Sequence, residues 1–337
     1  MLKYTLFIGI DISKKWIDVS PSSNGKKSQM PHQRFDNTEK GFKLMLTFVK
    51  KHFPTYQNTA HWLFCMEHTG LYGDPLRRFL EAQALTYVIE SGKAIGNSLG
   101  LRRGKSDKAD SADIARYAFL HQHELKPSQL LCPTLLTIKN LLSLRSRLVK
   151  AKQGLTIAAK ELNSFANVAT CVTVISDQTC TELSVHIKSI ELKLVETIQQ
   201  SEQLYTLYKL ITSVKGVGLI TAAHLLVYTK GFMAFKTARQ FACYIGIAPF
   251  QYSSGSSIKR PDRVSHLANK KLKTLISAVA ISAIRFDKQI KAYYNRRVEE
   301  GKNPFLVQNN VKNKLVHRIF AVVKRGTPYV ELNHFNS

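Results

Sequence analysis

The chain has 337 residues, 44% of them hydrophobic, which is enough for more than one buried core and excludes a disordered protein. Its 49 Lys and Arg stand against 23 Asp and Glu, a formal net charge of +26 that points to a polyanionic partner. Nucleic acid fits better than a membrane surface, since no strongly basic helix with a clean apolar face stands out. The charge is lopsided: after Glu202 there are 22 Lys and Arg but only five acids. Cys65, Cys132, Cys171, Cys180 and Cys243 form no CxxC pair, so they suggest neither a zinc site nor a disulfide framework and fit a reducing cytoplasm. The N-terminal apolar run is interrupted by Asp11 and is too short for a signal peptide. Residues 274–284 are apolar but too short to cross a bilayer.

In chain order, residues 5–11 read as a buried strand ending on Asp11, a turn follows at 12–15, and residues 16–19 read as a second strand. Residues 29–35 are a third strand. Thr38 caps a helix that Pro54 ends, residues 61–67 form a strand ending on Glu67, and a helix over 75–84 leads to a fifth strand at 85–89. A basic, Gly-rich loop with Arg102, Arg103 and Lys105 comes next, and Ser106 caps a helix running to about His121. The order β-β-β-α-β-α-β-α is that of the ribonuclease H fold. In that topology the first and fourth strands are neighbours, so Asp11 and Glu67 come together at matching strand ends.

Asp107 and Asp110 sit three apart, on one face of the last helix. Taken singly, each acid has an ordinary reading: a turn residue, a strand-end surface charge, or a complement to a helix N-terminus. Together they have a stronger one, because four converging carboxylates cannot all stay ionised without a cation. Oxygen-only ligands suit Mg²⁺ or Mn²⁺, and two such ions support phosphodiester chemistry. Asp113 is more than a turn from Asp107 and reads as lying behind the cluster or on the surface. Asp18 reads as structural.

Pro127 and Pro133 mark a boundary. Residues 135–165 and about 179–200 carry apolar residues at three-four spacing and read as a helical hairpin, either a coiled-coil dimerisation arm or a pair packed within the chain. Residues 211–223, with Gly216 and Gly218, read as a helix-hairpin-helix whose glycine amides hold a phosphate, or as a plain helical turn. Residues 237–244 form a short helix. The stretch 251–260 reads as a Ser-rich turn, followed by Arg263, His266, Lys270, Lys271 and Lys273, with Lys259 and Arg260 inside it. A hydroxyl beside Gly255 among these cations is a nucleophile or a phosphate contact; the pattern alone does not decide between them, and the contact is the favoured reading.

These motifs resemble the DEDD transposases of the insertion sequence one-ten family, relatives of the Piv DNA invertase. The resemblance spans nearly the whole chain. It rests on Ile8-Gly-Ile-Asp11, Met66-Glu-His-Thr-Gly70, Gly100-Leu-Arg102, Lys105-Ser-Asp-Lys-Ala-Asp110, Val217-Gly218, Arg239-Gln-Phe-Ala242, Gly246-Ile-Ala-Pro249 and Ser254-Gly-Ser-Ser257. It departs at Ser111, where the family often has Ala, and at Pro261 in a usually basic-polar stretch.

The resemblance implies an α/β plus α architecture. A RuvC-like catalytic domain of the RNase H fold covers residues 1–128, a helical coiled-coil dimerisation segment 129–205, and a mainly helical C-terminal transposase domain 206–337. It implies a metal-binding tetrad of Asp11, Glu67, Asp107 and Asp110 with Mg²⁺ or Mn²⁺, and a serine nucleophile at Ser254. Implied partners are target and donor DNA, a structured bridge RNA that pairs with both, and further copies of the chain as a homodimer assembling to a tetramer. The expected location is cytoplasmic and nucleoid-associated in a bacterium. Expected nucleic-acid contacts are Arg102, Arg103, Lys105, Gly216, Gly218, Lys259, Arg260, Arg263, Lys270 and Lys271. The expected activity is site-specific DNA recombination through a phosphoserine intermediate. The alternative is a RuvC-like metal-dependent nuclease of the junction-resolving type, without a covalent intermediate.

Overall fold

The computed structural model describes residues 4–98, 100, 106–162, 164, 170–254 and 258–330. The chain forms two compact units, residues 1–130 and 131–337.

The first unit contains β1 (Leu6–Ile12), β2 (Trp16–Ser22), β3 (Gln33–Asp36), α1 (Glu39–His52), β4 (Trp62–Glu67), α2 (Asp74–Ala82), β5 (Tyr87–Glu90), α3 (Gly92–Ser98) and α4 (Asp107–His121). The strands make one sheet in the order β3-β2-β1-β4-β5. β1 pairs antiparallel with β2 and parallel with β4, β2 with β3 is antiparallel, and β4 with β5 is parallel. That order and sense are those of the ribonuclease H and RuvC-like fold.

Strand side chains alternate between faces, and β1 is apolar on both. Leu6, Ile8 and Ile10 pack with Phe42, Met45 and Phe48 of α1 and Leu76 and Leu80 of α2. Phe7 packs on the opposite face with Leu63, Cys65 and Val88, under Ile95 of α3 and Ile114, Tyr117 and Ala118 of α4. The third strand is shorter and later than the expected 29–35, because residues 27–29 take a helical turn instead. Within the Gly-rich stretch after β5, residues 92–98 close into α3.

The second unit contains α5 (Pro133–Leu162), α6 (Thr170–Gln199), α7 (Glu202–Thr212), α8 (Leu219–Tyr228), α9 (Ala238–Tyr244), β6 (Pro249–Ser254), β7 (Ile258–Val264), α10 (Lys270–Phe286), α11 (Lys288–Glu299) and α12 (Pro304–Arg325). α5 and α6 are antiparallel: Arg145 pairs with Glu191 at 2.7 Å, and Thr156 meets Cys180. Leu135, Ile138 and Leu142 at one end of this hairpin join Ile190, Leu194 and Ile198 in the core that α7 to α12 share. α6 begins nine residues before the expected 179, because Thr170, Val172, Thr173, Val174 and Ile175 are β-branched and obscure the helical spacing. The stretch read as a Ser-rich turn supplies two paired strands, with Ser254 opposite Ile258. Its Ser residues and Pro261 hide the strand signal. Among the described residues no helix is long and apolar enough to cross a membrane.

Candidate active site

Residue parity fixes which side chains share a face. Asp11 follows Phe7 and Gly9 on the face that α4 covers, and Glu67 follows Leu63 and Cys65 onto the same face. Ile10 pairs with Met66 in the parallel register, which leaves Asp11 and Glu67 side by side just beyond it.

Gly9 decides how close α4 comes. A Cβ there would lie 2.1 Å from the carbonyl oxygen of Ser111 and 2.3 Å from the amide nitrogen of Ala115. Only glycine lets the helix backbone rest directly on the strand. The buried Ser20 and Ser111 hydroxyls, 2.8 Å apart, pin the helix further, which gives a use to the Ser found where the family often has Ala. Ser106 caps α4 by accepting a hydrogen bond from the Ala109 amide, and the first turn presents Asp107 and Asp110.

The electrostatics centre on Asp11. Burial pushes its pKa up to about 6, and the charges of Asp110, Asp107, Asp18 and Glu67, in that order, push in the same direction. Asp11 thus feels all three other expected members of the cluster and a fifth carboxylate. Among the described residues, however, no three His, Cys, Asp or Glu side chains are close enough together to hold a metal ion.

Arg34 accounts for part of this spacing. Its Nε and Nη2 fork onto Asp18 at 2.9–3.2 Å, and Nη2 also donates to Asp107 Oδ2 at 2.6 Å. His32 Nε2 completes the set around Asp18 at 2.9 Å. Asp18 is buried and pairs with Asp11 across β1 and β2, while Arg34 pairs with Asp18 across β2 and β3. Asp18 is therefore more than structural: it is a carboxylate neighbour of Asp11 held by Arg34 and His32. The signal was available, because a tight turn at residues 13–15 places 18 opposite 11.

The donor set itself fits a hard divalent cation. It is all carboxylate oxygen, it is crowded with like charge, and its central member has a raised proton affinity. Glu67 lies against Gly92, where a Cβ would meet its Oε1 at 2.1 Å, so a glycine at the start of α3 leaves room for this carboxylate. Asp113 is not on the surface: it is buried and pairs with Lys27.

Of the other expected contacts, Arg102, Arg103 and Lys105 lie outside the described residues. Ser254 is the last residue of β6, and Lys259 and Arg260 stand in β7 opposite Ser253 and Tyr252. Arg263, Lys270 and Lys271 are exposed. Burial and then Lys150 hold the Lys271 ammonium below its usual range. Gly216 has φ +91, and a Cβ on it would come within 2.8 Å of the Val279 carbonyl oxygen, so it lets the turn between α7 and α8 approach α10. Gly218 precedes α8 and has open space around it, which leaves it the better placed of the two for a phosphate.

A model for DEDD transposases of the IS110 type matches residues 8–162, and one described as "Transposase IS116/IS110/IS902 family" matches 208–295. The pilin gene-inverting protein of Moraxella bovis is 24% identical over 97% of this chain and 98% of its own length. The uncharacterized 43.6 kDa protein of insertion element IS110 from Streptomyces coelicolor is 32% identical over 38% of this chain and 31% of its own. The Thermus thermophilus RuvC structure overlaps 36% of this chain and 99% of its own, with 9% identity and a TM-score of 0.26. The fold assignment stands on the strand order and not on that overlap.

The class defined here is a DNA-cleaving recombinase of the DEDD transposase type, with a ribonuclease H-like catalytic sheet. Both units of the chain are similar to the IS116/IS110/IS902 transposases, the first through the DEDD model and the second through the C-terminal one.

Proposed function

We propose that the protein recombines DNA at specific sites, with Asp11, Glu67, Asp107 and Asp110 binding a divalent cation and Ser254 acting as nucleophile. The observation that carries this reading is the raised proton affinity of Asp11 amid four other acids, in a chain whose net charge is +26. Such a site calls for a cation, and such a chain calls for a polyanion. Mg²⁺ or Mn²⁺ bound there would supply positive charge to the scissile phosphate.

The Ser254 hydroxyl oxygen bonds to phosphorus and gives up its proton. The bond from phosphorus to the 3′ oxygen breaks, leaving a free 3′-hydroxyl and a 5′-phosphoseryl link. When a 3′-hydroxyl of another strand attacks that link, the serine leaves and the strands are rejoined. One phosphodiester is exchanged for another, so no high-energy cofactor is consumed. The name of the Moraxella relative describes inversion of a gene, a rearrangement that needs cutting and rejoining, and this supports recombination over plain hydrolysis.

The assembly belongs to the same reading. The distal half of the α5–α6 arm leaves Leu155, Ile157, Val172, Ile175 and Val185 exposed, which supports a second copy of the chain as its partner. In a dimer or tetramer, the carboxylates of one protomer act with Ser254 of another. A bridge RNA supplies sequence recognition by pairing with target and donor DNA, and the cations of residues 259–271 contact backbone phosphates.

The deciding experiment uses end-labelled DNA from the flanks of the gene, with any structured non-coding segment there transcribed as the guide. Wild type yields a covalent protein–DNA band that protease removes. The band is lost in Ser254→Ala and kept in Ser253→Ala. Loss in Ser253→Ala instead moves the nucleophile by one residue. Cleavage with no adduct in any variant replaces this reading with a metal-dependent nuclease.

A further inference from the structure

A groove runs over the edge of the sheet at β3, beside the carboxylates but outside them. Phe35 and Phe48 form its buried floor. One wall is the stripe Lys40, Leu44, Thr47 and Lys51, at four-three-four spacing along one face of α1. The other wall is Trp16 and Arg34, with the guanidinium 5.0 Å from the ring centroid. The groove has a volume of about 530 Å³, in the range that holds a nucleotide-sized ligand.

Three features separate it from an ordinary solvated surface. Arg34, Lys40 and Lys51 line it against one acid, Asp36. Lys40 and Lys51 enter no ion pair among the described residues, whereas Lys43 on the same helix is paired with Glu39 at 2.7 Å. Two large apolar side chains, Trp16 and Leu44, stay exposed between these cations at 38% and 52%. Unpaired cations alternating with exposed apolar and aromatic surface suit a strand that offers phosphates and bases in turn. Arg34 also fixes the groove's position, because the same side chain touches Asp107 at 2.6 Å. A strand leaving the carboxylates past Arg34 enters the groove directly.

We infer that this groove takes the DNA strand that flanks the phosphate bound at the Asp11 carboxylates. The inference rests on the proposed reading of those carboxylates as the cleavage site. The two lysines, eleven residues apart on a helix, lie roughly 16 Å from each other, which spans several phosphates of one strand.

The molecule carries its own probe. It has two tryptophans: Trp62 is fully buried, and Trp16 is exposed at the groove. Full-length protein titrated with a DNA oligonucleotide from the gene's flank should show quenching of tryptophan fluorescence that is absent in Trp16→Phe. In Lys40→Glu/Lys51→Glu the midpoint of the quench should rise at least roughly tenfold, and the slope of log affinity against log salt should fall by about two, one for each phosphate contact removed. Lys50→Glu, exposed on the same helix outside the groove, should match wild type.

The inference fails if DNA saturates the protein by anisotropy without quenching Trp16. It also fails if the double variant behaves like Lys50→Glu, or if RNA quenches and DNA does not, which gives the groove to the guide. Asp11→Asn separates the two readings. Loss of cleavage with the quench kept supports both, whereas cleavage by Asp11→Asn with the quench kept removes the carboxylate reading, and with it the strand assigned to the groove.

Discussion

The two units carry opposite electrostatic problems. Residues 1–130 hold 12 acids against 19 Lys and Arg, yet five of those acids act on one point, and Asp11 has its proton affinity raised by burial and four like charges. Residues 131–337 hold 11 acids against 30 Lys and Arg, and there the like charges are cations. Burial and Lys271, then Arg145, push the pKa of His224 down to about 4, and burial and Lys273 lower that of Lys312. On the proposed function, a small cation would complete one region and a polyanion the other. The pairing is what a metal-dependent enzyme acting on nucleic acid requires, and it explains why a strongly basic protein keeps a knot of carboxylates at the end of its central strands.

The largest test removes the centre of the acidic region. Asp11→Asn should reduce strand cleavage below detection while nucleic-acid affinity stays near wild type, measured on the same DNA. Without divalent cation it should also stabilise the fold at pH 8. The carboxyl ionises near 3.8 in the unfolded chain and near 6 in the folded one, so the folded state binds the extra proton between these values. Stability from that proton is full below 3.8 and lost as the pH rises through 6. The melting temperatures of wild type and Asp11→Asn should therefore converge near pH 4 and separate above 6. Equal melting temperatures at pH 8 would mean that Asp11 is not under the pressure of its neighbours.

Gly9→Ala breaks the same region from beneath. Its methyl group meets the backbone of α4, which cannot rotate away as a side chain can, so α4 must lift from β1 and carry Asp107 and Asp110 with it. Overpacking of this kind costs about 1–3 kcal/mol, readable as a fall in the urea midpoint. Cleavage should fall further than the loss of folded protein explains. A variant as stable and active as wild type would mean that the close approach of helix and strand is not needed.

Much of the first unit was legible because its strands are short apolar runs with carboxylates at their ends, and residue parity does the rest. Strand ends and the capped start of α4 are enough to put Asp11, Glu67, Asp107 and Asp110 in one neighbourhood. They do not place Arg34, since a lone Arg in a short edge strand carries no signal until the register of β2 against β3 sets it opposite Asp18. The burial of Asp113 was hidden because its partner, Lys27, comes from a helical turn in a stretch that read as the approach to a strand. In the second unit the sequence announced α8 through its apolar run but not the strands around Ser254, where Ser and Pro mask the alternation. The helices α10 to α12 form much of that unit's core and left no motif to follow.

In the basic region, Lys271→Gln removes one of the crowded charges. DNA affinity should fall a few-fold, and the salt slope should drop by about one if Lys271 contacts a phosphate. The free protein should keep or slightly gain stability, because burial and Lys150 already oppose that charge. An unchanged slope with a loss of stability would make Lys271 a structural residue and weaken the contrast between the units.

The smallest expected effect lies where a cation sits among the acids. Arg34 holds buried Asp18 with a two-nitrogen fork and reaches exposed Asp107 with Nη2. A divalent ion that takes Asp107 must displace this contact, whereas the Asp18 fork, the better buried of the two, has no reason to open. Arg34→Lys keeps one positive charge for Asp18 but has no second nitrogen to offer Asp107. Manganese binding, read by paramagnetic resonance on protein without DNA, should then tighten by a few-fold, because a competitor has been removed while the charge of the site is unchanged. Arg34→Gln should tighten it further, at a cost in stability from leaving Asp18 buried with only His32 beside it. If Arg34→Lys instead weakens manganese binding, the guanidinium holds Asp107 in place for the metal. The acidic knot would then be an arrangement that Arg34 builds, where the present geometry has it restrained.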